Sequence, residues 1–357
     1  MARSPLTLAA LATAAIAGLD ITATRKSDSH GQGDFDSAIL TAKDGRSLII
    51  RVPNSQIAET EQSADLIAIR ALTPGIRSRL PFDVPSYLGQ TPIDGTRAVV
   101  YDFLPGHHLA VERVPAGDGL AGSIGHAVAA IHSLPTAFVG QAGLPILSAA
   151  ECHSSTATLI ETATSTGLVP TALRDRWREA VKDSALWQFQ PTVINGALSA
   201  DSFLVEDDSV LVILGWSALR VGDPARDLHW ILAMNGDATE SALGAYTAGR
   251  QVATDRQFTQ RAMLYAELEI ARWLLHGRET HDQAIVDDAV GMLDGLVDRV
   301  HSNVMNAISP ATGPVLAVSD VEEMLERTPV DRPEGDDHSG GMKPVADDQS
   351  EPSSSSE

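Results

Sequence analysis

Apolar and polar positions along the chain change period several times, and each change predicts an element. Residues 5–17 form a nearly continuous Ala, Leu and Ile run opened by Ser4-Pro5 and followed by Gly18. Proline at the first helical position and glycine just past the last mark a helix. Arg3 ahead of the same run also fits the leader of an exported chain, and the Ser4-Pro5 start favours a helix of the mature fold. Three short runs rich in β-formers follow, Ile21 to Thr24, Phe35 to Thr41 and Ser47 to Val52. The last two are joined by Asp44-Gly45, a strong hairpin turn. A helix is predicted from Ile57 to Leu72, then a strand at Ala98 to Phe103 that Leu104-Pro105-Gly106 breaks.

Beyond Gly106 the period becomes helical, with helices predicted over 119–133, 155–166, 171–184, 223–235, 239–250, 255–276 and 281–306. One segment interrupts them. Phe203-Leu204-Val205 and Val210 to Leu214 flank Glu206-Asp207-Asp208-Ser209, a hairpin with an acidic turn. The class is α+β, a small sheet-containing part followed by a larger helical one that carries an inserted hairpin. No run reaches the ~18 apolar residues of a membrane span.

Composition narrows the function. The 357 residues carry a formal charge of -21, so there is no basic footprint for nucleic acid or an anionic membrane. Cys152 is the single cysteine, which rules out an intrachain disulfide and a cysteine-based zinc site, and the cytoplasm is the expected compartment. From Ser319 onward 12 residues are acidic against 3 basic. Ser319-Asp320-Val321-Glu322 is a capping-box pattern for a short helix. The rest of 319–357 has too little apolar surface to offset chain entropy, so a largely disordered acidic tail is expected. Its reading is a solubilising appendage, with contact to a basic partner as the alternative.

Phosphoryl transfer needs donors that cradle phosphates, a cation beside them, metal ligands and a base for the acceptor hydroxyl. Two segments bear on this, Asn195-Gly196-Ala197-Leu198-Ser199-Ala200-Asp201-Ser202 and Leu214-Gly215-Trp216, followed by Arg220-Val221-Gly222-Asp223-Pro224-Ala225-Arg226-Asp227-Leu228. Their frame resembles the aminoglycoside and macrolide phosphotransferase family, whose loop reads His-Gly-Asp-x-x-x-x-Asn and whose second metal ligand follows a hairpin as Ile-Asp-Trp. The resemblance implies a protein-kinase-like bilobal fold: an N-lobe over 1–106 with a hinge at 101–106, and a C-lobe over 107–318 with its catalytic loop at 195–202 and hairpin at 203–216. It implies ATP or GTP as donor and a hydroxyl of an amino sugar, macrolide or similar metabolite as acceptor.

The chemistry at these positions departs from the family. Asn195 stands for the leading His, Ala197 for the catalytic Asp, Ser202 for the metal-binding Asn and Gly215 for the metal-binding Asp. Losing a general base costs about 10² to 10⁴ in rate. Mg²⁺ is a hard cation normally held by carboxylates, so no protein-held metal is expected here. Asp201 is the best-placed substitute. Asp207 and Asp208 fall on the hairpin turn, Asp223 is most simply a helix N-cap, and Asp227 is a further nearby carboxylate. In the small lobe the resemblance places His30-Gly31-Gln32-Gly33 over the phosphates, though Gly31 and Gly33 also suit a plain turn. Arg51 takes the place of the phosphate-pairing Lys, with Glu61 as its partner over Asp65, four residues on and on the same helix face; a solvated face explains both acids equally. Tyr101 and Phe103 belong to a hinge-like Tyr101-Asp102-Phe103-Leu104-Pro105-Gly106.

Other candidates carry less. His107-His108 reads as a solvent-facing loop, and His126 and His132 are six apart and share no helix face. Ser154-Ser155 lacks a nucleophile elbow. Trp187, Trp216, Trp230 and Trp273 read as core. Two functions remain: a pseudokinase-like binding or regulatory module taking a nucleotide, without need of metal, or another small molecule between the lobes; or a slow ATP-dependent O-phosphotransferase using Asp201. A scaffold acting through the tail is a third reading, resting on composition.

Overall fold

The computed structural model describes residues 3–27, 34–250, 255 and 257–302. The segment with Gly31 and Gly33, and the acidic tail with its Ser319 capping box, lie outside the described residues.

Helix α1 (Pro5–Ala15) starts where Ser4 predicts, its hydroxyl accepting the Thr7 N–H at 3.1 Å. Strands β1 (Ile21–Lys26), β2 (Phe35–Ala42) and β3 (Ser47–Pro53) precede α2 (Gln56–Ala71), a single turn α3 (Pro74–Arg77), β4 (Tyr87–Ile93) and β5 (Thr96–Asp102). The five strands form one antiparallel sheet in the order β1-β2-β3-β5-β4. Alternation along each strand gives the sheet two apolar faces. Leu40, Leu48, Ile50 and Val100 pack with Leu8 and Ala12 of α1. Val99 and Tyr101 face the other way, into the core that holds Leu66, Ile69 and Leu72 from α2 and its end. The α1 side is tight: a Cβ on Gly89 of β4 would lie 2.5 Å from the Ala15 carbonyl oxygen.

The chain continues through β6 (His107–His108), α4 (Leu120–His132), α5 (Ala137–Gln141), α6 (Ala149–Ser165), α7 (Thr171–Lys182) and β7 (Thr192–Ile194). Then come the hairpin β8 (Phe203–Glu206) and β9 (Ser209–Ile213), β10 (Arg220–Gly222), α8 (Gly236–Gly249), α9 (Phe258–Thr280) and α10 (Gln283–His301). The core of α2 and β5 runs on without a break into α4, α8 and the hairpin. A second core joins α6, α7, α9 and α10 around Trp177, Leu268 and Leu293. There Glu267 is buried with its charge matched, accepting from Nε and Nη2 of Arg176 and from the Trp177 indole N–H at 2.8 to 3.2 Å.

Four expectations need correction. Strand β4 was not foreseen, although Asp94-Gly95, both at positive φ, supplies the same turn signal as Asp44-Gly45. Helix α6 begins at Ala149 rather than 155, because Ser148 and Glu151 form a capping box. The helix predicted over 223–235 is two short 3-10 stretches, Pro224–Asp227 and His229–Ala233. Tertiary bonds to Asp223 and Asp227 hold that segment and override its helical period. Finally, Trp273 is 38% exposed, with its indole N–H on Asp288 and its ring stacked on His276, whereas Trp187, Trp216 and Trp230 are buried.

Candidate functional site

A cleft of about 400 Å³ opens between the five-stranded sheet and the β8–β9 hairpin. Ile49, Arg51, Glu61, Asp65, Tyr101 and Phe103 line it from one side, and Ala197, Asp201, Ser202, Leu204 and Gly215 from the other. Of the positions singled out in the sequence, Arg51, Glu61, Tyr101, Phe103, Ala197, Asp201, Ser202 and Gly215 thus share one cleft, Asn195 does not line it, and Gly31 and Gly33 lie outside the described residues.

The loop from Asn195 is built around a buried carboxylate. Asp227 accepts the Asn195 N–H and the Gly196 N–H, both at 2.7 Å. Its Oδ2 also accepts from His132 Nε2 at 3.2 Å. Burial holds the His132 pKa below the ordinary imidazole value, its bond to Asp227 only partly opposing this. The ring is therefore neutral and donates through Nε2, so its Nδ1 accepts the Tyr246 hydroxyl at 2.9 Å. Helices α4 and α8 thereby fix the loop. Gly196 has φ +87°, and a Cβ there would sit 2.5 Å from the Ala218 carbonyl oxygen, so the turn requires glycine.

Asn195 joins this loop to the one after β9. Its side-chain amide donates to the Gly215 carbonyl at 2.9 Å, and its oxygen accepts the Ala197 N–H at 3.2 Å. The Ser202 hydroxyl, buried, accepts the Ser199 N–H at 3.2 Å and closes the turn Ser199–Ser202. Gly215 has φ +70° and nothing within 4 Å of where a Cβ would be. Asp and Asn tolerate that left-handed conformation better than other side chains. Asp223 does cap, accepting the Ala225 N–H at 3.0 Å, and in addition it holds the buried Arg261 guanidinium at 2.7 Å and the Tyr265 hydroxyl at 3.1 Å.

On the sheet side, Arg51 stacks over the Phe35 ring at 4.0 Å. Among the described residues no ion pair joins Arg51 to Glu61 or Asp65. Asp65 instead accepts the Trp216 N–H at 2.8 Å, tying α2 to the residue after Gly215. Burial raises its pKa above the ordinary carboxylate value, opposed by that bond and by Arg51. At the hinge-like segment the Phe103 N–H donates to the Ser47 carbonyl at 3.1 Å, and the Asp102 carboxylate accepts the Ser86 N–H.

The phosphotransferase enzyme family (APH) matches residues 29–264 of the sequence. The chain belongs to this family. Its fold is the kinase-like one of solved phosphotransferases: the macrolide 2'-phosphotransferase MphH from Brachybacterium faecium superimposes with a TM-score of 0.69 at 23% identity, over 81% of this chain and 98% of that one. Aminoglycoside 2'-phosphotransferase-IIIa, in its GDP complex, gives 0.67 at 18% identity over 84% and 100%. An uncharacterized Bacillus subtilis (strain 168) protein, YcbJ, is 24% identical over 273 residues, covering 72% of this chain and 88% of its own.

In this member of the family, then, the loop frame is kept and its polar groups differ. Ala197 and Gly215 offer the cleft no side-chain donor atom, and the Ser202 hydroxyl oxygen accepts the Ser199 N–H. Asp201 lines the cleft and is exposed. Among the described residues no group of three or more His, Cys, Asp or Glu is arranged to hold a metal ion. The family's metal positions carry no carboxylate here: Ala197, Ser202 and Gly215 supply at most the Ser202 hydroxyl, and Asp201 is the acid of this loop that lines the cleft.

One reading is corrected: His107-His108 is not a free loop but pairs with Val205 and Leu204 of β8, and His108 lines the cleft with its Nδ1 3.2 Å from the Asp201 carbonyl oxygen. The residues that sequence reasoning missed are Asp227 as the loop's anchor, with His132 and Tyr246 behind it. The only signal was Asp227 within the Arg220 to Leu228 frame.

Proposed function

We propose that this chain is a pseudokinase of the phosphotransferase family, a binding or regulatory module whose cleft no longer performs the transfer. One observation carries the reading: Ala197, Ser202 and Gly215 line a single cleft whose loops are otherwise held in place by Asn195 and Asp227. A loop anchored this well has kept its architecture, while the groups that would activate an acceptor hydroxyl and bind metal are absent from it. The missing base alone costs about 10² to 10⁴ in rate, and the missing charge stabilisation several kcal/mol more. A division into an N-lobe over 1–106 and a C-lobe from 107 is part of the same proposal, with Tyr101 and Phe103 at the hinge.

The test combines turnover and binding. The purified chain is expected to release no phosphate from ATP or GTP above background, with or without Mg²⁺, and to show no Mg²⁺-dependent thermal stabilisation by nucleotide. The variant carrying Ala197→Asp, Ser202→Asn and Gly215→Asp together should gain Mg²⁺-dependent nucleotide stabilisation, since position 215 has both room and a tolerated φ. Turnover by the parent chain sinks the reading. A second reading, a slow O-phosphotransferase using Asp201, is favoured by the exposed Asp201 carboxylate at the cleft. It requires turnover that Asp201→Asn abolishes.

A further inference from the structure

Three arginines gather beside the Asn195 loop, and none of them lines the cleft between the sheet and the hairpin. Arg220 opens β10, Arg226 sits in the 3-10 stretch Pro224–Asp227, and Arg272 comes from α9. The Gly196 turn places the first two. Arg226 Nε donates to the Gly196 carbonyl at 2.8 Å, and a Cβ on Gly196 would lie 3.0 Å from Arg220 Nε, which donates to the Ala218 carbonyl at 2.8 Å. The guanidinium carbon of Arg226 stands 5.9 Å from the centre of the Tyr265 ring. Tyr265, Glu269 and Arg272 follow one another at i, i+4 and i+7 and so share a face of α9.

The charges of this group are poorly matched. Burial holds the Arg272 pKa down to about 10, and the charges of Arg226 and Arg220 push the same way against Glu269. Burial also lowers that of Arg220, with the charge of Arg226 next in effect and Asp227 opposing. All three guanidinium groups remain charged at neutral pH. Two acids answer them among the described residues. Glu269 accepts Arg272 Nη1 at 2.9 Å, and Asp227 is fully buried and already holds three N–H donors. Nη1 and Nη2 of Arg220 and of Arg226 donate to no described residue, and none of the four is a sealed-off atom. Holding three half-buried like charges together costs stability in the free chain, and a bound anion offsets that cost. The planar fork of an arginine matches the paired oxygens of a carboxylate or phosphate.

We propose that Arg220, Arg226 and Arg272 bind the oxyanion group of a small acid, a phosphate monoester or a carboxylate, beside the Gly196 turn. An amino sugar, cationic at neutral pH, has the wrong sign for this cluster. The proposal goes beyond the pseudokinase reading and does not rest on it, since the arginines hold an anion whether or not the cleft transfers phosphate.

Thermal unfolding of the full chain, titrated with inorganic phosphate or with acetate at an ionic strength held constant with sodium chloride, reads binding as a rise in midpoint. A saturable rise is expected. Tighter phosphate assigns a phosphate monoester, and tighter acetate a carboxylate. Arg272→Gln leaves the contacts of the Gly196 turn in place and should weaken the tighter-binding ion at least about tenfold, a loss of ~1.4 kcal/mol. Arg226→Gln should weaken it as much. Glu269→Gln releases Arg272 from its partner and should tighten binding about threefold, the opposite of what a general loss of fold would do. A rise that fails to saturate with either ion is a salt effect and overturns the proposal. So does an affinity unchanged in Arg272→Gln or weakened in Glu269→Gln.

Discussion

The bond set around Asp227 makes a sharp prediction for Asp227→Asn. The carboxylate accepts three donors, the N–H groups of Asn195 and Gly196 and the His132 Nε2–H. An asparagine has one acceptor oxygen, so in either orientation its amide nitrogen faces an N–H that is itself a donor. At least one charge-assisted bond, worth about 1.5–3 kcal/mol, is lost, and a buried N–H is left without a partner at a further cost of about 1–3 kcal/mol. Some of this overlaps, and a loss of about 3 kcal/mol is expected, a large share of the roughly 5–15 kcal/mol that holds a typical protein folded. Urea denaturation followed by tryptophan fluorescence suits the measurement, because the Trp230 indole donates to the Asp227 carbonyl at 3.0 Å and its environment reports on this segment. Asp207→Asn, on the exposed hairpin turn, is the control and should stay within about 0.5 kcal/mol. His132→Ala should be strongly non-additive with Asp227→Ala, since both remove the same contact. An Asp227→Asn protein within about 1 kcal/mol of the parent would show that the anchor is not what fixes the loop.

Three further outcomes follow from the same geometry. Because burial lowers the folded pKa of His132, its stabilising contribution is full above about pH 6.5, the unfolded value, and is lost as pH falls through the folded value. His132→Gln should therefore flatten the decline of the denaturation midpoint below that pH, and an unchanged slope refutes the neutral ring. Asp65 is the opposite case: its folded pKa is raised, so Asp65→Asn should stabilise the chain at neutral pH, and the gain should disappear as pH falls below about 3.9. A variant less stable than the parent at pH 7 would contradict this. Gly196→Ala and Gly215→Ala share a positive φ but not a neighbourhood. The second should cost only the conformational ~1–2 kcal/mol, while the first adds a clash with the Ala218 carbonyl oxygen and should be clearly worse by the same denaturation assay.

What could be read from the chain divides along physical lines. Elements set by local signals were legible: the Ser4-Pro5 helix start, the Asp44-Gly45 hairpin and the acidic turn of β8–β9 all appear at the expected places. The loop frame was legible as well, and Ala197, Ser202 and Gly215 do reach one cleft. Strand β4 and the start of α6 carry equally local signals, Asp94-Gly95 and Ser148 with Glu151. The network behind the loop is a different matter. His132 and Asp227 lie 95 residues apart, and neither periodicity nor spacing links them. The same long-range bonds explain why residues 223–235, helical in pattern, settle into two 3-10 stretches. Arg51 shows the remaining limit: its place was readable, but its resting contact with Phe35 depends on geometry across two strands.

The Asp65 bond to the Trp216 N–H joins the helix over the sheet to the segment beyond the hairpin, two elements that line the cleft from opposite sides. If entry requires that bond to break, its net worth of about 0.5–1.5 kcal/mol appears as an activation term. Association would then be slowed by roughly 2- to 13-fold relative to a chain without the tether, and dissociation slowed alike, with the affinity itself untouched. The cleft would act as a timer on its ligand, holding occupancy longer than the equilibrium constant alone suggests.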